Sequence, residues 1–351
     1  MIGRRAFVGS TLALAACGRG AQSEPVTGPI APLKTAPFPV GVSVMTGHLT
    51  DPGFTAILDR NFSQVTPEWE MKMEYILQPD GSFKFDAPDA IAAYAREHGM
   101  RLHGHTPIWY AYEGPSFQKL AGDKVAFGAA YDAYIRAVVG RYRGLARSWD
   151  VVNEPIKDDA SGPRASLWSR TLGEIDHIVR AYSQAHEADP DAVLFLNDYY
   201  LESNPAKRAA FMRLVERLLA AGCPLGGIGC QTHIDIDLPV GAIGTALKEL
   251  SSFGLPIHLA ELDISTNMKK FDIRPIGARL GLQAEKAAEV AAAFMALPAR
   301  QRFAFTLWGL RDSDSWLRGP NGTGPSDLPA MFDSGGAPKP ALEALARGFG
   351  L

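Results

Sequence analysis

Cysteine is scarce in this chain, with three residues in 351. That number cannot build a disulfide framework, and no Cys/His spacing of the kind that holds zinc occurs. A charge excess of one sign is lacking too. Lys and Arg number 35 against 38 Asp and Glu, for a net charge of −3, so there is no basic face for nucleic acid. No apolar run reaches the roughly 20 residues a spanning helix needs. No composition break after residue 39 marks a second domain. What is present is 46% hydrophobic residues, enough to bury one large core.

The first residues differ in kind from the rest. Arg4 and Arg5 precede a small, apolar stretch from Ala6 to Ala16, the length of a secretory core region and similar to a twin-arginine export signal. Leu14-Ala15-Ala16-Cys17 resembles the lipobox after which bacterial lipoproteins are cleaved and acylated, which makes Cys17 a lipidation site. Residues 1–17 are therefore expected to be an export signal, and Gly-, Pro- and Ser-containing residues 18–39 a tether. The product would be an exported, membrane-anchored lipoprotein, periplasmic or on the cell surface, or otherwise secreted, touching membrane only through that anchor. Cys223 and Cys230 could then pair, but Cys230 sits in the apolar run Ile228-Gly229-Cys230 and reads as a buried thiol.

From residue 40 to 351 short apolar runs alternate with longer amphipathic ones. Strands are expected near Val40–Met45, Phe62–Thr66, Met100–His105, Ser148–Asn153, Ala192–Asn197, Gly227–Gln231, Pro256–Ala260 and Arg302–Leu307. Helical periodicity fills the intervals, as in Pro88–His98, Lys124–Tyr142, Leu172–Ala188, Pro205–Ala220 and Gln283–Leu297. Eight such units with right-handed crossovers close into a single (β/α)8 TIM barrel whose chemistry sits at the C-terminal rim of the strands. A doubly wound open sheet is the competing architecture.

The strand ends carry the polar residues. Val151 and Val152 lead into Asn153, Glu154 and Pro155, and Ile257-His258-Leu259-Ala260 leads into Glu261 with Asp263 beyond. Two glutamates at two strand ends is the pattern glycosidic-bond hydrolysis requires, one to donate a proton and one to act as nucleophile or base. Around them fall Glu68, Glu70 and Lys72, then His103, His105 and Trp109, then Asn197, Asp198 and Tyr199, Gln231 and His233, and Trp308. Hydrogen-bonding groups interspersed with aromatic rings suit a sugar, whose hydroxyls need partners while its C–H faces stack.

The segments Thr66-Pro67-Glu68-Trp69-Glu70-Met71-Lys72, Gly104-His105-Thr106-Pro107-Ile108-Trp109, Trp149-Asp150-Val151-Val152-Asn153-Glu154-Pro155, Gly227-Ile228-Gly229-Cys230-Gln231-Thr232-His233, Glu261-Leu262-Asp263-Ile264 and Thr306-Leu307-Trp308-Gly309-Leu310, in this order, resemble the endo-β-1,4-xylanases of glycoside hydrolase family 10. The resemblance implies retaining hydrolysis of xylan or xylo-oligosaccharides with no metal or organic cofactor, by a monomer. It implies Glu154 as acid/base and Glu261 as nucleophile. Asn153 would bind the sugar 2-hydroxyl, and His233, supported by Asp263, would orient Glu261. Gln231 would sit beside the acid/base, while Glu68, Lys72, His105, Trp109 and Tyr199 would line the sugar sites. Trp308 would be a floor and Trp316 a wall excluding a hydroxymethyl group. A raised pKa is expected for Glu154 while Glu261 is charged.

The chain also departs from the family pattern. Trp69 stands where Asn is usual, Met73 where Trp is common, Tyr110 where His often follows the tryptophan, and Tyr200 where Asn usually follows the tyrosine. Trp69 implies a reshaped distal glycone site. Competing readings are a retaining glycosidase on β-glucan, cellobioside or plant glycosides, an inverting enzyme, and a non-catalytic sugar-binding lipoprotein. Retention of both glutamates beside Asn153 and His233 argues against the last, since binding alone needs no proton donor.

Overall fold

The eight expected strands form, run parallel, and close on themselves. They are β1 (Val40–Val44), β2 (Gln64–Pro67), β3 (Arg101–Trp109), β4 (Ala146–Asn153), β5 (Val193–Asp198), β6 (Gly227–Cys230), β8 (Ile257–Ser265) and β9 (Arg302–Leu307). A three-residue strand, β7 (His233–Asp235), was not expected and pairs with the end of β8. Closure has two seams: Val40 pairs with Phe305 between β1 and β9, and Ile228 with Ile257 between β6 and β8. The architecture is thus the (β/α)8 barrel and not the open sheet.

The computed structural model describes residues 30–351. The export signal, Cys17 and residues 18–29 lie outside the described residues. Residues 30–39, read as the end of a tether, belong to the folded body. Leu33 and Phe38 are buried, and the Phe38 ring meets Phe294 and Phe349 edge-on at 5.0 Å each. Two apolar side chains among prolines gave no periodicity from which to read this packing. Both remaining thiols, Cys223 and Cys230, are free and buried.

Three further boundaries shift. The helix expected over Leu172–Ala188 divides into Leu167–Leu172 and Asp176–Ala188, because Gly173 adopts φ 109, which no helix tolerates. Strands β3 and β8 run past their expected ends to Trp109 and Ser265, so His105 and Glu261 lie within strands. Glu261 and Asp263, two apart, point to the same face.

That face is the barrel interior, and it is polar. His103 Nδ1 lies 2.7 Å from Ser148 Oγ, His258 Nε2 2.7 Å from Thr306 Oγ1, and the two rings meet edge-on at 4.6 Å. The apolar core lies outside the strands, where Phe54, Ile91, Val138, Tyr182, Phe211 and Phe294 are buried from the surrounding helices. Asp51, Asp123 and Asn204 cap three of those helices by accepting from first-turn amides. Among the described residues no helix is long and apolar enough to cross a membrane.

Candidate active site

Two carboxylates meet at the mouth of the barrel, joined by three side-chain amides. At the end of β4, Glu154 leaves the strand with φ 56 while its amide donates to the Asn197 carbonyl at 2.8 Å. Its side chain is fixed from three sides. Trp109 Nε1 donates to Oε2 at 2.8 Å, and Gln231 Nε2 and Asn153 Nδ2 donate to Oε1 at 3.1 and 3.3 Å. Opposite it, on β8, Glu261 Oε1 accepts from Asn197 Nδ2 at 2.6 Å, and Oε2 lies 3.3 Å from His233 Nε2. Asn153 Oδ1 completes the bridge, accepting from Asn197 at 3.0 Å and from Gln231 at 3.2 Å.

Strand register places these groups. Asn153 on β4 lies beside Asn197 on β5, and Asn197 beside Gly229 on β6. A side chain at Gly229 would put its Cβ 2.5 Å from Asn197 Oδ1, so the missing Cβ makes room for the amide that reaches both Asn153 and Glu261. Strand β6 then ends and the Gln231 amide bonds the Asp198 carbonyl, while the Glu261 amide bonds the Gln231 carbonyl at 2.8 Å. Thr232, at φ 66, turns the chain so that Gln231 and His233 both face inward.

Glu154 and Glu261 open into one cavity of about 430 Å³. Of the expected site residues, Glu68, Lys72, His105, Trp109, Asn153, Tyr199, Gln231, His233, Trp308 and Trp316 also line it. Asp263 does not. It stands behind His233, with Oδ2 2.9 Å from Nδ1, and accepts a 2.8 Å hydrogen bond from Trp316 Nε1. Trp308 is buried, whereas Trp316 is 41% exposed, a wall and not a core residue. Two strand-end candidates point elsewhere. His103 lies lower in the barrel on Ser148 and Asp150, and Glu70 accepts from the Thr46 amide and hydroxyl. Trp69, the departure from the pattern, is on the cavity wall, where the Lys72 ammonium lies 3.9 Å from its ring and 4.8 Å from that of Trp109. Met73 is core; Tyr110 lies under the Arg164 guanidinium at 4.0 Å.

The electrostatics separate the groups. Burial disfavours a charged His233, but Asp263 and Glu261 flank it and outweigh that cost, raising its pKa to about 10. An imidazolium follows at neutral pH. Burial likewise pushes Glu261 up, yet the charge of His105 and the hydrogen bond and charge of His233 overcome it and leave the carboxylate below its usual range. Glu261 is therefore ionised. Asp150, desolvated but holding both His103 and His105 at 2.9 Å, is well below the usual range. Burial dominates at Glu68, pushed up to about 7 against Lys72 and Ser43, and lowers Lys72 against the pull of Glu261, Glu68 and Glu154.

His105, Asp150 and Glu261 bring three ligand-type atoms within 4.8 Å of one another. Asp150 Oδ2 there is taken by two imidazoles and Glu261 Oε1 by Asn197, so these donors already serve the hydrogen-bonded array. Sequence reasoning placed Asn197 and Asp198 at a strand end without assigning them a contact, and it did not find Asp150, Asp158 or Arg164. Asp150 carried no alternation signal, because the register of β4 shifts between Asp150 and Val152. Arg164 carried none, being in a loop ten residues from the glutamate it touches.

The sequence profile described as glycosyl hydrolase family 10 matches residues 31–347. The endo-1,4-β-xylanase A of Caldicellulosiruptor sp. (strain Rt8B.4) is 36% identical over 324 residues, covering 88% of this chain and 46% of that protein. The endo-β-1,4-xylanase Xyn10C of Cellvibrio japonicus is 31% identical over 342 residues, covering 90% of this chain and 56% of that protein. The chain thus spans about half the length of these relatives. Among solved structures, a mutant of xylanase 10C from Cellvibrio japonicus in complex with xylopentaose superposes with a TM-score of 0.84 at 30% identity, over 91% of this chain and 69% of that one. With the profile spanning nearly all the described residues and the barrel shared with that structure, the chain belongs to glycosyl hydrolase family 10.

Proposed function

We propose that this chain is an endo-1,4-β-xylanase that hydrolyses β-1,4-xylosidic bonds with retention, Glu154 serving as acid/base and Glu261 as nucleophile. The observation that carries it is the amide bridge joining two carboxylates across one cavity. In the first step a Glu261 oxygen attacks the anomeric carbon. The bond to the departing sugar breaks, and Glu154 gives that oxygen its proton. In the second step water attacks the same carbon, Glu154 takes a proton from the water, and the ester to Glu261 breaks. His233 and Asn197 keep Glu261 ionised and aimed; Asn153 is placed for the 2-hydroxyl of the reacting sugar. Sequence likeness to named xylanases and structural likeness to a xylopentaose complex support the substrate class.

Steady-state kinetics on aryl β-xylobioside and aryl β-cellobioside, with proton NMR of the first-formed anomer, test this. Expected are preference for the xylobioside, a β-configured first product, and loss of turnover in Glu261→Gln. An α-configured first product or a preference for the cellobioside overturns it.

Trp69, against Lys72 on the cavity wall, reshapes the distal glycone site, with stacking or steric closure replacing a polar clamp. A xylohexaose product profile unchanged by Trp69→Asn contradicts this. Cys17 anchors an exported protein to membrane, and labelled palmitate incorporation that survives Cys17→Ala contradicts that.

A further inference from the structure

Glu154 is a non-glycine residue in the left-handed region, with φ 56. Such a backbone costs free energy and persists only where the surroundings over-determine it. Hydrogen bonds from two sides do so here. From below, the Glu154 amide donates to the Asn197 carbonyl at 2.8 Å, and the Ile156 amide donates to Asp198 Oδ2 at 3.0 Å. Asp198 is in turn fixed by the buried Lys207, 2.9 Å from its other oxygen. From the opposite side comes Arg164. Its Nε donates to the Glu154 carbonyl at 3.2 Å, and Nη2 donates to the Ile156 carbonyl at 2.8 Å, Asp158 Oδ1 at 3.0 Å and the Tyr199 hydroxyl at 2.9 Å. The guanidinium plane rests 4.0 Å from the centre of the Tyr110 ring, and the side chain is 13% exposed.

We infer that Arg164 is a positioning residue for proton transfer, holding the Glu154 backbone in its left-handed conformation so that the carboxyl faces the departing oxygen. The inference deepens the hydrolase reading above and rests on it. A rigid fork is needed because two carbonyls two residues apart must be reached at once, which a lysine ammonium cannot do. Arg164 touches neither Glu261 nor the groups that aim it, so its loss leaves the attacking carboxylate in place. What suffers is the proton transfer by Glu154, to the departing oxygen in the first step and from water in the second.

The test compares Arg164→Met with wild type on two substrates. Xylotetraose has a sugar alkoxide leaving group that requires protonation, whereas 2,4-dinitrophenyl β-xylobioside has one that departs without it. General acid catalysis contributes roughly a hundredfold or more, so kcat/KM on xylotetraose is expected to fall at least about thirtyfold further than on the dinitrophenyl substrate. Added azide, which attacks the glycosyl–Glu261 ester without needing a base, is expected to accelerate turnover of the dinitrophenyl substrate and yield β-xylobiosyl azide. Equal falls on both substrates, or unchanged activity on both, overturn the inference. Should Arg164→Met fail to fold, Arg164→Lys carries the same comparison, with a smaller difference between substrates expected. Wild-type protein that turns over neither substrate sinks the hydrolase reading and this inference together, whereas retained wild-type turnover with equal falls sinks this inference alone.

Discussion

Tyr200 combines a bulky side chain with φ 58, is 44% exposed, and meets Tyr199 edge-on at 4.8 Å. The left-handed region costs an ordinary residue roughly 1–2 kcal/mol, and Asn is among the few that adopt it readily. Tyr200→Asn should therefore raise the unfolding free energy by about 0.5–1 kcal/mol, read as a higher denaturant midpoint. A lower midpoint would mean that the ring contact with Tyr199 outweighs the strain. Titration at single residues sets a second expectation. Glu68 and Asp198 are each raised to about 7, burial overcoming Lys72 and Lys207 respectively. Between about pH 4 and 7 the native state keeps these protons while the unfolded chain loses them, so stability falls as pH rises. His233, raised to about 10, contributes stability that is fully present below about 6.5 and lost as pH rises through about 10. Asp150 and Glu261 act oppositely, being depressed; their contribution is present above about pH 4.5 and lost on acidification. The unfolding midpoint should thus peak at about pH 4–4.5, where the depressed pair is fully ionised and the raised pair still protonated in both states, and decline above it. Glu68→Gln should flatten the decline between about pH 4.5 and 7, and an unchanged slope there would show that Glu68 ionises freely in the fold.

Strands β4, β5, β6 and β8 together make one device: Asn153 and Asn197 pair across β4 and β5, Gln231 follows the end of β6, and the amide of Glu261, within β8, bonds the Gln231 carbonyl. The tolerance is narrow at Gly229. In Gly229→Ala the new methyl would overlap Asn197, with Cβ 2.5 Å from its Oδ1 and 2.8 Å from its Cβ, and Asn197 must turn away from Glu261. We expect a folded protein, by circular dichroism, whose kcat falls about tenfold to a hundredfold, the loss of one hydrogen bond to a charged group. Wild-type kcat in this variant would show that Asn197 does not aim the nucleophile. Much of this device was legible in the sequence. Val151 and Val152 before Asn153, and Ile257 to Ala260 before Glu261, show where apolar runs meet acidic groups. What stayed hidden was contact across strands: the double duty of Asn197, the ion pair of Asp198 with Lys207, and Arg164 reaching back to Glu154. Such contacts depend on register and loop path, and neither leaves a periodic trace in a single chain. The ends of β3 and β8 were misjudged for a related reason. His105, Glu261 and Asp263 look like rim residues by polarity, yet they are strand residues facing a polar interior.

At the scale of the molecule, the alternation of eight apolar runs with amphipathic ones was sufficient to imply the closed barrel, since the crossover rule leaves few other ways to cover both faces of such strands. The placement of residues 30–39 was not legible, because two buried side chains among prolines make no pattern. Closure itself has a cost in time. The seam between β1 and β9 joins Val40 to Phe305 and Val42 to Leu307, residues at nearly opposite ends of the chain. Contacts so distant in sequence form slowly. Until Arg302–Leu307 leaves the ribosome, β1 and β8 each present an unpaired edge, the template on which strands from other chains assemble. A chain ending at Gln301 should accumulate as insoluble material on expression, and recovery of soluble monomer would show that the open sheet protects itself. The newly made polypeptide thus carries two sticky edges until residues 302–307 arrive and act as the clasp.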